Sequence, residues 1–294
     1  MKKFSLFFKD AKPGAQLLGL VFYLLLGFII AMGLQVLIPI EGDTPGAIRG
    51  GMWLQALSQL LMFFFPALFF VMVYHGSPSQ YLHLDFHGRK WFLSFVAVII
   101  FVLLLPINDW LTAWNDQWNL GSYEDSARHI TELSKMVVDR MLSLTQPADL
   151  LLQLLVIALI PAVCEELFFR GALQQILRQW FGNGYVAIAV TALIFSLVHG
   201  DVYGLVPRFV LGLLLGYLYF SAESLLVNVC VHFFNNACVV VAFYAYHHGS
   251  WPYNPYMPLF FPWNTILLFT LAAVALFAVY FVKFGRKSTD EKHA

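Results

Sequence analysis

Two adjacent glutamates, Glu165 and Glu166, stand inside an otherwise apolar stretch running from Leu150 to Phe169, with Arg170 one step beyond. A charge at the centre of a membrane helix costs roughly 2.5–3.5 kcal/mol on insertion scales, so such groups are kept for chemistry or transport. His199, His232 and Asn236 follow in later apolar stretches. A carboxylate and an imidazole at one level can activate water, by direct general-base action or by holding a metal such as zinc or another divalent ion. An imidazole and an amide four residues apart can donate hydrogen bonds to the oxygen of a tetrahedral intermediate. Together these are the parts of a peptide-bond hydrolase. A metal site would want three protein ligands, and Glu165, His199 and His232 can supply that set.

Spacing refines the roles. Glu166 and Arg170 are four apart and lie one turn from each other on one helix face, so they can pair. Glu165 points about 100° away from Glu166, an asymmetry that suggests one structural and one reactive carboxylate. The competing reading makes Glu166 and Arg170 a neutralised pair that only locks helices together. Pro161 predicts a kink just before the glutamates. Phe195 shares a face with His199, and Asn228, His232 and Asn236 form an i, i+4, i+8 polar stripe that must face the bundle interior or a wet cavity. With the chain turning at Gly182-Asn183-Gly184, Glu165 and His199 stand roughly 27 and 24 Å from that turn, and so level. His232 stands only ~14 Å above its own turn at Ala222–Ser224, which requires the second hairpin to be offset or tilted.

Other intramembrane hydrolase patterns are missing from the sequence. It has no His-Glu-x-x-His helix and no Gly-x-Ser-x-Gly elbow, and Asp201 at the end of an apolar stretch reads as a helix cap or loop residue. Glu165-Glu166-x-x-x-Arg170, Phe195-x-x-x-His199 and His232-x-x-x-Asn236 instead resemble, in order and spacing, the three motifs of the CPBP group of intramembrane proteases, which includes CAAX prenyl endopeptidases and bacteriocin-processing or immunity proteins. The resemblance covers about 150–240. It implies that Glu165 with His199 activates the attacking water, that His232 and Asn236 stabilise the oxyanion, and that Glu166 and Arg170 shape the site. Members of the group are described both as metal-dependent and as glutamate-dependent, so the resemblance leaves the metal open.

The elements that must position these groups are membrane helices. Sixty per cent of residues are apolar, twelve per cent are charged, and the mean hydropathy is +0.72, far from the composition of a soluble domain. Apolar runs predict an all-α, polytopic transmembrane bundle of about eight spans: 14–37, 53–75, 90–112, 149–178, 185–200, 204–220, 225–246 and 264–282. The fourth run is too long and the fifth rather short for one crossing each. Three domains are expected: a scaffold with an amphipathic loop over 1–147, a catalytic core over 148–246, and an aromatic loop, last span and tail over 247–294.

With both termini cytoplasmic, Lys2, Lys3, Lys9, Lys12, Arg89, Lys90, Arg170, Arg178, Lys283, Arg286, Lys287 and Lys292 fall inside. Only Arg49, Arg128, Lys135, Arg140 and Arg208 fall outside, the bias expected of a cell membrane protein, here read as bacterial. No cleavable signal peptide is evident, and the first run reads as an anchor. In the 113–147 loop, Ile130, Leu133, Met136, Val137, Arg140, Met141 and Leu144 predict an amphipathic helix on the outer surface. Trp and Tyr of 247–263 suit the headgroup layer. Cys164, Cys230 and Cys238 read as small packing groups, and a formal charge of zero gives no hint of nucleic-acid binding, so no nucleic-acid partner is expected. Gly212 and Gly216 predict close helix approach, and Arg208 reads as a snorkelling residue or a grip for a substrate carboxylate.

These features predict an intramembrane endopeptidase acting on a peptide or protein that reaches the lipid bilayer. A metal or solute transporter is one alternative, weakened because the polar cluster occupies one half of the chain only. A non-catalytic immunity or scaffold protein of the same fold is the other.

Overall fold

The computed structural model describes residues 8, 10–76, 78–84 and 89–284, and every regular element among them is helical. The long helices are α1 (Pro13–Leu37), α2 (Pro45–Tyr74), α3 (Arg89–Asp116), α4 (Glu124–Leu142), α5 (Pro147–Phe181), α6 (Gly184–Leu197), α7 (Leu205–Ala222), α8 (Leu225–His247) and α9 (Trp263–Phe284). All but α4 coincide with the eight expected spans. Seven helical spans are long and apolar enough to cross a membrane, and α6 is the short apolar one. Lys2, Lys3, Lys9, Arg286, Lys287, Lys292 and the tail after Phe284 lie outside the described residues.

Burial is inverted relative to a water-soluble bundle. Leu18, Phe22, Ile29, Phe95, Leu151 and Leu271 are exposed, while Glu166 and Arg170 are wholly buried. Apolar side chains on the outside need a lipid solvent, and the protein is an integral membrane protein.

The extra length of α5 is absorbed by local widening. Its backbone is π-helical over Leu154–Leu159, directly before Pro161, and again over Leu167–Leu173. Proline has no N–H and its ring crowds the preceding turn, so a widened turn there relieves the clash. α2 repeats the device, with a π-helical Leu60–Phe64 just ahead of Pro66. The expected kink at Pro161 is thus realised as a change of winding.

Small residues set the closest helix approaches. A Cβ on Gly212 would meet the Cα of Ala192 at 3.0 Å, and one on Gly216 would meet Ile188 at 2.9 Å, so α7 seats on α6 through these two glycines. α8 packs along α5, and α3 packs against α9. The short connections 182–183 and 223–224 lie at one end of the bundle, which we call the Gly182 end. Residues 38–44, 117–146, 198–204 and 248–262 lie at the other, the His199 end.

At the His199 end α4 is the expected amphipathic helix. Ile130, Leu133, Met136 and Val137 are exposed along one side, while Thr131 and Leu142 are buried. The aromatic loop is fastened to it, with the Tyr256 hydroxyl donating to the Lys135 carbonyl at 2.9 Å. Trp251 and Tyr253 of that loop are exposed, as headgroup-layer residues should be.

Candidate active site

α5 brings Glu165 and Glu166 to the bundle interior, where α8 packs against it. Glu166 is the hub. Its Oε1 accepts from Arg170 Nη1 at 2.7 Å and lies 2.8 Å from His232 Nδ1, and its Oε2 accepts from Asn228 Nδ2 at 3.1 Å. Arg170 Nη2 continues to the Gly212 carbonyl at 3.2 Å, and Asn228 Nδ2 also donates to the Leu215 carbonyl at 2.6 Å. The carboxylate therefore ties α5 to α7 and α8. Gly212 helps to seat α7 here, because a side chain at 212 would press on Ala192 of α6.

His232 acquires a direction from this network. A carboxylate held by a guanidinium only accepts, so Nδ1 carries the proton that is donated to Glu166. Nε2 is left to face Glu165, whose Oε2 stands 3.8 Å away. That distance is too long for a direct hydrogen bond. A water bridging both groups through bonds of ~2.8 Å would set them about 4.4 Å apart, and a tetrahedral zinc with bonds of ~2.0–2.1 Å about 3.3 Å apart. The observed gap lies between, with Glu165 itself buried at 7% exposure.

His199 lies beyond the last turn of α6 and is exposed. Its Nδ1 is 2.7 Å from the Phe195 carbonyl, which accepts, so Nε2 is again the free nitrogen. The two imidazoles share one aromatic wall: the Phe195 ring is 4.9 Å from His199 and 6.0 Å from His232, centroid to centroid. The Arg170 guanidinium covers the same ring at 4.8 Å. His199 is within electrostatic reach of Glu165 and His232, but the close carboxylate–imidazole approach is made by His232.

The expected height mismatch is resolved by an offset hairpin. Tyr219 and Glu223, at the end of α7, line one shallow cavity with Gln174, Gln175 and Arg178 of α5. The second turn thus sits four to eight residues short of Gly182 along α5, roughly 6–12 Å higher, which supplies most of the missing ~13 Å.

Of the six expected residues, Glu165, Glu166, Arg170 and His232 form one contiguous cluster and His199 joins it through Phe195. Asn236 stands one turn beyond His232, and its side-chain oxygen accepts from Asn235 at 2.8 Å. Asn228 belongs to the network and was not among the six, and Gln174 makes a separate tie to α7 beside it. Gln174 donates to the Gly216 carbonyl at 3.0 Å and continues the Glu166, Arg170 spacing by one more turn. Asp201 is a cap, accepting from Tyr203 N, and Arg208 is occupied by it at 2.7 Å, which removes the free grip for a substrate carboxylate. The cysteines are free thiols, with Cys164 buried and Cys238 exposed.

Glu165, His199 and His232 have the chemistry of a catalytic zinc set, including ring nitrogens oriented by a carboxylate and a carbonyl. They do not stand as one: among the described residues no group of three or more His, Cys, Asp or Glu side chains is placed to hold a metal ion.

Residues 147–238 match the family model Type II CAAX prenyl endopeptidase Rce1-like. The Rce1-like segment runs from the start of α5 into α8 and contains all six expected site residues. The matched family points to a CAAX-type intramembrane protease. No curated protein and no solved structure matches the chain.

Proposed function

We propose that the protein is an intramembrane endopeptidase that hydrolyses a peptide bond of a membrane-associated peptide or protein with water activated by Glu165. The observation that carries the reading is the 3.8 Å approach of Glu165 to His232 Nε2, on an imidazole whose other nitrogen is fixed by buried Glu166. Two carboxylates and one guanidinium leave this desolvated cluster one positive charge short. In the proposed step a further proton on His232 Nε2 neutralises it and leaves Glu165 ionised as the base.

In the step proposed, the water oxygen bonds to the scissile carbonyl carbon while Glu165 takes the water proton. The oxyanion accepts from protonated His232, whose charge is balanced by Glu166. The C–N bond then breaks, and Glu165 returns the proton to the leaving amine. Asn236 is proposed as a second oxyanion donor and His199 as an electrostatic partner of Glu165. The proposed setting is a bacterial cell membrane with both termini cytoplasmic, so that the His199 end faces outward.

A metal-assisted version is the second reading, favoured by the two imidazoles that keep Nε2 free. When bound, zinc or another divalent ion would acidify a water, and Glu165, His199 and His232 would have to draw together from their present positions to hold it.

Cleavage of a membrane-anchored peptide by nanodisc-embedded protein in H₂¹⁸O tests the reading. One ¹⁸O in the new carboxyl group, with a free amine on the other product, is expected. Intact peptide under all conditions sinks the hydrolase in favour of a scaffold. Chelation followed by metal analysis of the same sample separates the two versions: activity retained in metal-free protein supports the glutamate alone, and activity restored by zinc supports the metal.

A further inference from the structure

We infer that Asp201 is a positioning residue for His199, and that through Thr131 it makes the site depend on how α4 is seated. The inference deepens the hydrolase reading above and rests on it.

His199, Gly200 and Asp201 form the turn that leaves α6, with Gly200 at φ 70°, a conformation that glycine alone adopts freely. Asp201 gathers this turn. Its Oδ1 accepts from the Thr131 hydroxyl at 2.6 Å and from Tyr203 N at 3.1 Å. Its Oδ2 accepts from Arg208 Nη2 at 2.7 Å, and its carbonyl accepts from Arg208 Nη1 at 3.1 Å. Downstream, the Asn115 side chain spans Val202 O and Val206 N at 3.1 and 2.9 Å. Within α6 the His199 ring is held by the Phe195 carbonyl and Gly200 N by the Leu197 carbonyl at 3.0 Å, and among the ties that reach the turn from other elements those of Asp201 lie nearest to His199 in sequence.

Thr131 is the link that a mere cap does not need. It comes from α4, far away in sequence, and it is buried while Ile130 and Leu133 beside it are exposed. α4 is also held by Arg128 on Asp116 and over the Tyr203 ring at 3.7 Å, by Arg140 on Asp43, and by Lys135 and Asp139, which meet Tyr256 and His247, but Thr131 is its tie to the His199 turn itself. Its apolar side faces outward where lipid would meet it. A helix seated by lipid on one side and hydrogen-bonded to the His199 turn on the other transmits its position to that imidazole.

Thr131→Val and Thr131→Ser separate this from a capping role, since both leave the Tyr203 N–H and Arg208 bonds in place. With the nanodisc protein and the anchored peptide, Thr131→Val is expected to lower kcat about tenfold with KM within about twofold, and Thr131→Ser to restore it. Thr131→Val at wild-type kcat, beside an inactive Glu165→Gln, overturns the inference and spares the hydrolase. Should the wild type cleave nothing, the hydrolase reading itself fails. Amide exchange over 198–204 in the Glu165→Gln background decides the coupling without catalysis: a rise of about fivefold with Thr131→Val supports it, and unchanged exchange overturns it.

Discussion

Nε2 of His232 lies 3.8 Å from Oε2 of Glu165, across a gap that one small bridging species fits. Both partners are buried, at 3% and 7% exposure, so the approach is made in a low-dielectric interior where a charge left alone is expensive. The neighbouring Glu166 holds the opposite side of the same imidazole, which divides the two adjacent carboxylates into an orienting one and a reactive one.

Glu166→Gln is expected to harm fold and site together. It breaks a wholly buried pair and strands Arg170, at a cost of about 3–5 kcal/mol, and it releases the tautomer of His232. Thermal unfolding in detergent should show a clear fall in midpoint, with at least about tenfold lower cleavage in whatever stays folded. An unchanged midpoint would show that the pair contributes nothing to the bundle.

Gly212→Ala probes the seam between α6 and α7. Its Cβ would press on the Ala192 backbone at 3.0 Å, an overpacking expected to cost about 1–3 kcal/mol, and it would disturb the carbonyl used by Arg170. Gly33→Ala in α1 meets open space and serves as the control for helix propensity, with a midpoint no lower than wild type. Equal midpoints for the two variants would contradict the close approach.

The carboxyl of Asp201 gives a pH signature. Burial pushes it up, but the bonds from Thr131 and Arg208 outweigh that and hold it below the usual carboxylate range. A depressed carboxylate contributes stability that is present above its unfolded pKa of about 3.9 and lost as pH falls through the lower folded value. The midpoint difference between wild type and Asp201→Asn should therefore be greatest near neutral pH and shrink below about pH 4. A difference that grows on acidification would contradict the assignment.

Much of the architecture was legible because lipid imposes a simple code. Apolar runs marked the seven helices long enough to cross a membrane and the shorter α6, and the buried Glu166–Arg170 pair followed from four-residue spacing alone. The hydrophobic stripe of Ile130, Leu133 and Met136 revealed α4 in the same way. The partner of Glu165 was not legible: equal heights favoured His199, whereas the offset of the second hairpin, set by Gly212 and Gly216 against α6 and by Gln174, delivers His232. Tertiary register of this kind depends on which small residues face each other, and no single-helix spacing contains it. Asn228 was visible in the polar stripe, but its bond to Glu166 needed the second helix. Thr131, in a loop helix, carried no signal that it would reach Asp201.

The most direct test of the central claim is the cleavage rate of Glu165→Gln against wild type, both in nanodiscs and matched for thermal midpoint. Replacing the base by an amide of the same shape is expected to lower kcat at least about 10²–10⁴-fold while the fold is kept. Equal rates in a folded Glu165→Gln protein would contradict the assignment of Glu165 as the group that activates water.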